Sequence, residues 1–194
     1  MNHPTLARVQ DAMIRKGYAW FVKPESINLV GIRHPDPQSN KFNDWMTCTW
    51  CDENGHWTFR RWPCTTDPGV YYRENPLNVK GTAIMVPGQY RGAYRMGTHK
   101  GYEAIVQTKP VTVWRDANKD GTLDWAGITE TGLYGLNIHR ASAAGESENV
   151  HRWSAGCQVL ANAYDFAELL ALVRRSCFYF GETFTYTLLE GHEL

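Results

Sequence analysis

At 194 residues the chain is long enough to bury a core without disulfide staples, and 43% apolar against 21% charged residues is an ordinary globular balance. Twenty Lys and Arg offset twenty Asp and Glu, so there is no broad basic field to grip nucleic acid or an anionic membrane, and neither is expected as a partner. No uncharged apolar run is long enough to span a bilayer.

The opening stretch, MNHPTLARVQDAMIRKGYAWF, has no long uncharged apolar core and no small-residue cleavage site. Synthesis in the cytoplasm without a Sec signal peptide is therefore expected. Within it, TLARVQDAMIRKG places Leu6, Val9 and Met13 on one helical face with Gly17 as a stop, and residues 1–25 are read as an N-terminal helical segment. SINLVGIRHP predicts a strand, and DPQSNKFND a loop. WMTCTWCDENGHWTFRRW predicts a β-hairpin, because DENG separates two aromatic, Thr-rich runs. TTDPG and VPGQ are turns; YEAIVQT, VTVWRD and GLYGLNIHR are strands. After the polar loop ASAAGESENVHR comes the clearest helix, NAYDFAELLALVRRS. Asn162 or Asp165 is placed to cap it, and Phe166, Leu169, Leu170 and Val173 form its apolar stripe. TFTYTLLE closes the chain as a strand. The sum is a single α+β domain over residues 1–194, mainly antiparallel β, with one helix near each end.

Five cysteines (Cys48, Cys51, Cys64, Cys157 and Cys177) make an odd number that predicts reduced thiols. Cys48, Cys51, His56 and Cys64 have a zinc-like spacing, but residues three apart on a strand face opposite sides, so zinc is not expected there. DANKDGTLD is a different case. It puts Asp116, Asn118, Asp120, Thr122 and Asp124 at positions one, three, five, seven and nine of an EF-hand-like loop, with Gly121 at six. Position twelve is Gly127 rather than a bidentate Glu, so the choice is between a weak calcium site and a plain acidic turn. No other cofactor is expected.

The chemistry concentrates in WSAGCQVL. A thiol is a strong nucleophile only as the thiolate, and a histidine is the usual partner that takes its proton and returns it to a leaving amine. His139 ends NIH eighteen positions before Cys157, and a polar loop separates the two. Gly156 permits a tight turn that exposes the Gly156 and Cys157 N–H groups toward a developing oxyanion. Taken alone, Cys157 is equally read as a small core residue.

IHR followed by WSAGCQV resembles the signature of the L,D-transpeptidase (YkuD-type) catalytic domain family, which runs His-Gly, a loop, then Ser-His-Gly-Cys-apolar-Arg. Ser154, Gly156, Cys157 and the spaced His139 match; Arg140, Ala155 and Val159 stand where the family has Gly, His and Arg. The resemblance covers residues 80–190 and implies an L,D-transpeptidase-like β-sandwich with one helix after the catalytic cysteine. NPLNVKGTAIMVPGQYRGAYRMG is similar to small phage-borne proteins acting on the cell wall. The resemblance further implies a peptidoglycan stem-peptide substrate, with Cys157 as nucleophile, His139 as base, and Ser154 and Gly156 shaping the site. Arg140, Arg152, His151 and Trp153 are the candidates for substrate contact. Hydrolysis through a thioester is the expected outcome, in the manner of a phage endolysin released through a holin-type pore. The alternatives are a cross-linking transpeptidase and a non-catalytic wall-binding module on the same scaffold.

Overall fold

The computed structural model describes residues 3–38 and 40–194. Helix α1 (Leu6–Arg15) is capped by the Thr5 hydroxyl and buries Val9, Ala12 and Met13, one turn of the stripe its spacing predicts. Strands β1 (Asn28–Arg33), β2 (Asp44–Cys51) and β3 (Trp57–Thr65) follow. The β2–β3 pair is the expected hairpin, with Cys51 opposite Trp57 across the DENG turn. A short helix α2 (Val70–Glu74), which the TTDPG turn does not announce, precedes β4 (Thr82–Met85), β5 (Gly88–His99), β6 (Tyr102–Gln107), β7 (Val111–Asp116) and β8 (Thr129–Gly132). GLYGLNIHR is not one strand: Gly132 closes β8, Leu133–Asn137 is an irregular segment, and the end forms β9 (Ile138–Arg140). The chain closes with β10 (Gln158–Leu160), α3 (Ala163–Phe180) and β11 (Thr183–Glu190), then a 3-10 turn.

The domain is α+β and mainly antiparallel, as its elements predict. Its larger sheet, however, is not the open half of a sandwich. It closes into a barrel in the order β1-β11-β5-β6-β9-β10-β3-β2, and β4-β7-β8 form a separate three-stranded sheet. Closure comes from β11, which inserts between β5 and β1 and pairs with β1 in parallel, Leu29 opposite Tyr186. Nothing local in TFTYTLLE encodes that long-range partner. The other parallel pair is β9–β10. Parallel neighbours need a crossover of about a dozen residues or more, and the polar loop ASAAGESENVHR supplies it.

Helix α3 starts at Asn162, whose side chain accepts from the Tyr164 N–H at 2.8 Å, and it lays Phe166, Leu169, Leu170 and Val173 onto the main core. Inside the barrel the Tyr94 and Tyr186 rings meet edge-to-face at 5.6 Å. Their buried hydroxyls are both satisfied: Tyr186 donates to Gln158 Oε1 at 2.7 Å and Tyr94 to the Leu136 carbonyl at 3.1 Å. The fully buried Arg33 ties the small sheet to the barrel. It ion-pairs with Asp67 at 2.9 Å and donates to the Met85 carbonyl at 2.9 Å. All five cysteines are free thiols. Among the described residues no helix is long and apolar enough to cross a membrane.

Candidate active site

Parallel pairing sets Val159 opposite His139 and Gln158 opposite Ile138. Cys157, immediately before β10, and His139, in the middle of β9, therefore reach the same end of this strand pair. Both line a cleft of about 460 Å³, within the range of small-ligand sites.

The turn that carries the thiol is held by Ser154. Its buried hydroxyl donates to the Cys157 carbonyl at 2.8 Å and accepts from the Gly156 N–H at 3.1 Å. Of the two N–H groups expected to face an oxyanion, that of Gly156 is thus already engaged, and the Cys157 N–H is the one left to the role. Ser154 is a positioning residue. Ser154→Ala will leave a buried donor and a buried acceptor without partners, so urea denaturation should show a loss of about 1–3 kcal/mol.

The imidazole is oriented with equal definition. His139 Nδ1 lies 2.8 Å from the Arg140 carbonyl oxygen, which can only accept. The ring proton is therefore on Nδ1 and the lone pair on Nε2, which is buried and has no hydrogen-bond partner among the described residues. The Tyr102 hydroxyl donates to the same carbonyl at 3.2 Å. Burial drives the His139 pKa down to about 3, helped by His99 and Lys100 and opposed by the Arg140 carbonyl. The thiol of Cys157 is directed at the Gly135 carbonyl, 3.5 Å away, and burial pushes it up from 9.0 to about 11. At neutral pH the pair is thus neutral thiol beside neutral imidazole, with no preformed ion pair.

A two-unit rise leaves about a hundredfold less thiolate at pH 7 than an ordinary cysteine has. Iodoacetamide labelling of Cys157 should be slower than that of a free thiol by at least that factor. It should also rise about tenfold per pH unit until the thiol titrates near pH 11. A labelling rate that levels off below pH 8 would show a thiolate the neutral pair does not hold.

Four side chains were candidates for substrate contact, and the fold separates them. Arg152 and Trp153 line the cleft, Arg152 stacked at 3.9 Å over the Tyr71 ring and Trp153 42% exposed. Arg140 does not line it; its guanidinium covers the Tyr102 ring at 4.2 Å, and its contribution to the site is the carbonyl that fixes His139. His151 also lies outside. It occupies a left-handed backbone position, φ 40°, with its N–H on Asn40 Oδ1 at 2.9 Å and its ring beside the Asn40 amide. Val159, at the family's arginine position, is fully buried beside Ala141 and cannot present a charge.

His99 is the residue that sequence reasoning misses. It ends β5, stacks on His139 at 4.2 Å with ring planes 13° apart, and lines the cleft. The Gln107 N–H donates to Asn137 Oδ1 at 3.0 Å, so the Asn137 amide nitrogen faces His99 Nδ1 at 3.1 Å and donates to it. His99 thus carries its proton on Nε2. The only local signal is a histidine at the turn THKG; the β6–β9 pairing, Ile105 opposite Ile138, is what brings that turn to His139. Lys100, Arg115 and Arg152 line the cleft, and no acidic side chain does among the described residues.

None of Asp116, Asn118, Asp120, Thr122 and Asp124 lines this cleft; Asp116 ends β7 and the other four lie in the connection from β7 to β8. Among the described residues no three Asp, Glu, His or Cys side chains are gathered so that they could hold a metal as they stand. Comparison of the chain with models of known protein families, with curated proteins and with solved structures returns no match.

Proposed function

We propose that this protein is a cysteine-dependent acyl-transfer enzyme that hydrolyses a peptide bond in peptidoglycan stem peptides, on an L,D-transpeptidase-like scaffold. The observation that carries the reading is the shared cleft of Cys157 and His139, with His139 Nδ1 occupied and Nε2 left bare to accept a proton. The choice of substrate rests on the resemblance of IHR and WSAGCQV to that family. Lys100 and Arg152 in the cleft suit the carboxylates that stem peptides carry, whereas Arg115 is already paired with Glu130 at 3.0 Å.

In the proposed reaction the Cys157 thiol turns from the Gly135 carbonyl toward His139. Nε2 takes its proton as Sγ attacks the substrate carbonyl, and the Cys157 N–H stabilises the oxyanion. The imidazolium then protonates the departing amine, leaving a thioester. Nε2 next deprotonates a water that cleaves the thioester and restores the thiol. Because the resting pair is neutral, the productive protonation state spans the interval between about 3 and about 11. As a phage-type lysis enzyme the protein would reach the wall from the cytoplasm through a holin-type pore.

The thiol's bond to Gly135 favours a second reading, a wall-binding module that keeps the scaffold without the chemistry. Incubating the protein with purified sacculi and resolving the products by mass spectrometry separates the readings. Shortened stem peptides support hydrolysis; new amine-linked cross-links would make the protein a transpeptidase, and unchanged sacculi that retain the protein would make it a binding module.

A further inference from the structure

Asp116 ends β7 and is fully buried, yet neither of its carboxylate oxygens has a hydrogen-bond partner among the described residues. A buried carboxylate without partners is strongly unfavourable, and its surroundings deepen the problem. The charges nearest to it include Asp124 and Asp120, of the same sign. Arg73 offsets part of this charge, but its Nη1 is spent on main chain, donating to the Gly121 carbonyl at 2.7 Å and the Pro37 carbonyl at 3.2 Å. These bonds clamp the loop rather than satisfy the acid.

Between the two outer carboxylates stands the Asn118 amide, whose nitrogen donates to Asp120 Oδ2 at 3.1 Å and Asp124 Oδ2 at 3.0 Å. That donor keeps the acids from converging on one point. A small hard cation in the same place would draw them together, and rotation of the amide would turn Asn118 Oδ1 to the ion as a further ligand.

We infer that the connection between β7 and β8 is a calcium site, with Asp116, Asp120 and Asp124 carboxylates, the Asn118 amide oxygen and the Thr122 main-chain carbonyl as ligands. The oxygen donors, their number and their alternate spacing select calcium over magnesium, which demands a tighter octahedron and holds its water. Gly127 supplies nothing at the twelfth position, so water completes the shell and the dissociation constant falls at about 10⁻⁴–10⁻³ M. Binding would brace the segment leading through β8 to Tyr134 and Gly135 at the cleft, but the inference is independent of what that cleft does.

Trp125 directly follows the last ligand and makes a built-in antenna for terbium, a luminescent calcium mimic. The full chain should sensitise Tb³⁺ emission on tryptophan excitation, and millimolar Ca²⁺ should displace it where equal Mg²⁺ does not. At 10 mM Ca²⁺ the melting temperature should rise by about 3–10 °C over that in chelator. Asp120→Asn and Asp124→Asn change side chains at the loop surface, and each should weaken Tb³⁺ binding at least tenfold and remove most of the thermal shift. Absence of a Ca²⁺-displaceable signal in the unaltered protein, equal displacement by Mg²⁺, or variants that titrate like the unaltered protein would each overturn the assignment.

Discussion

Cys157→Ala will abolish the release of shortened stem peptides from sacculi, with a fall of at least about 10³-fold in rate. The expectation follows from the site's composition. A thioester cannot form without Sγ, and no other thiol lines the cleft among the described residues. General-base assistance by a positioned histidine contributes about 10²–10⁴-fold, so His139→Ala should fall by a comparable factor even with the thiol intact. The two losses should not add, since each removes the same step. Folding should survive the cysteine change: Cys157 belongs to a small cluster with Ala141 and Val159 rather than to the main core. The pH profile gives an independent reading of the same site. A neutral thiol and neutral imidazole persist between about 3 and about 11, so kcat/KM should be level from roughly pH 5 to 9. An inflection near the ordinary histidine value of about 6.5 would mean that His139 titrates unburied and is not the base as drawn.

The sign of each shift explains how such a site is kept. His139 has its pKa depressed on folding, so the stability it contributes is present above the unfolded value of about 6.5 and is lost as pH falls toward 3. Cys157 has its pKa raised, so its contribution is present below the ordinary thiol value and is lost as pH rises toward 11. Across the neutral range neither group works against the fold, and the low dielectric around the pair is maintained without a buried charge. In the proposed reaction the thiol becomes reactive only once substrate enters and it leaves the Gly135 carbonyl.

Local patterns carry much of this structure. The apolar stripe of α3, its Asn162 cap and the β2–β3 hairpin are all fixed by residues a few positions apart, and each is legible in the sequence. So is the approach of Cys157 to His139, because two short apolar runs joined by a polar loop are a natural neighbouring pair. Barrel closure is not legible, since β11 finds β1 across most of the chain. The same limit hides His99, whose place beside His139 depends on the pairing of β6 with β9. Ser154 illustrates a subtler gap. Its type and position suggest support for the turn, but only the geometry reveals that it occupies the Gly156 N–H and so changes which donor is left for the proposed oxyanion. Arg140 is the reverse case, a charge that looks like a substrate contact and serves the site through its carbonyl.

Gly156→Ala is expected to be strongly destabilising. The residue sits at φ 118°, where a side chain is strained, and its backbone runs against β4: an added Cβ would stand 2.4 Å from the Ala83 carbonyl oxygen and 2.9 Å from Leu136 Cδ2. A leucine methyl can rotate away, but the Ala83 carbonyl belongs to a strand paired along its length with β7 and cannot move alone. Positive-φ strain of about 1–3 kcal/mol and overpacking of about 1–3 kcal/mol combine to roughly 2–6 kcal/mol. That is a large share of the 5–15 kcal/mol typical of a whole domain, and it should appear as a marked drop in the urea midpoint. Gly135→Ala separates the two causes. Gly135 also has positive φ, 68°, but an added Cβ there meets nothing within 4 Å. Only the backbone preference is lost, about 1–2 kcal/mol. If the two substitutions destabilise equally, then contact with β4 is not what shapes the SAGC turn. If Gly156→Ala is the worse by 2 kcal/mol or more, the position of the thiol is set by how closely two backbones approach.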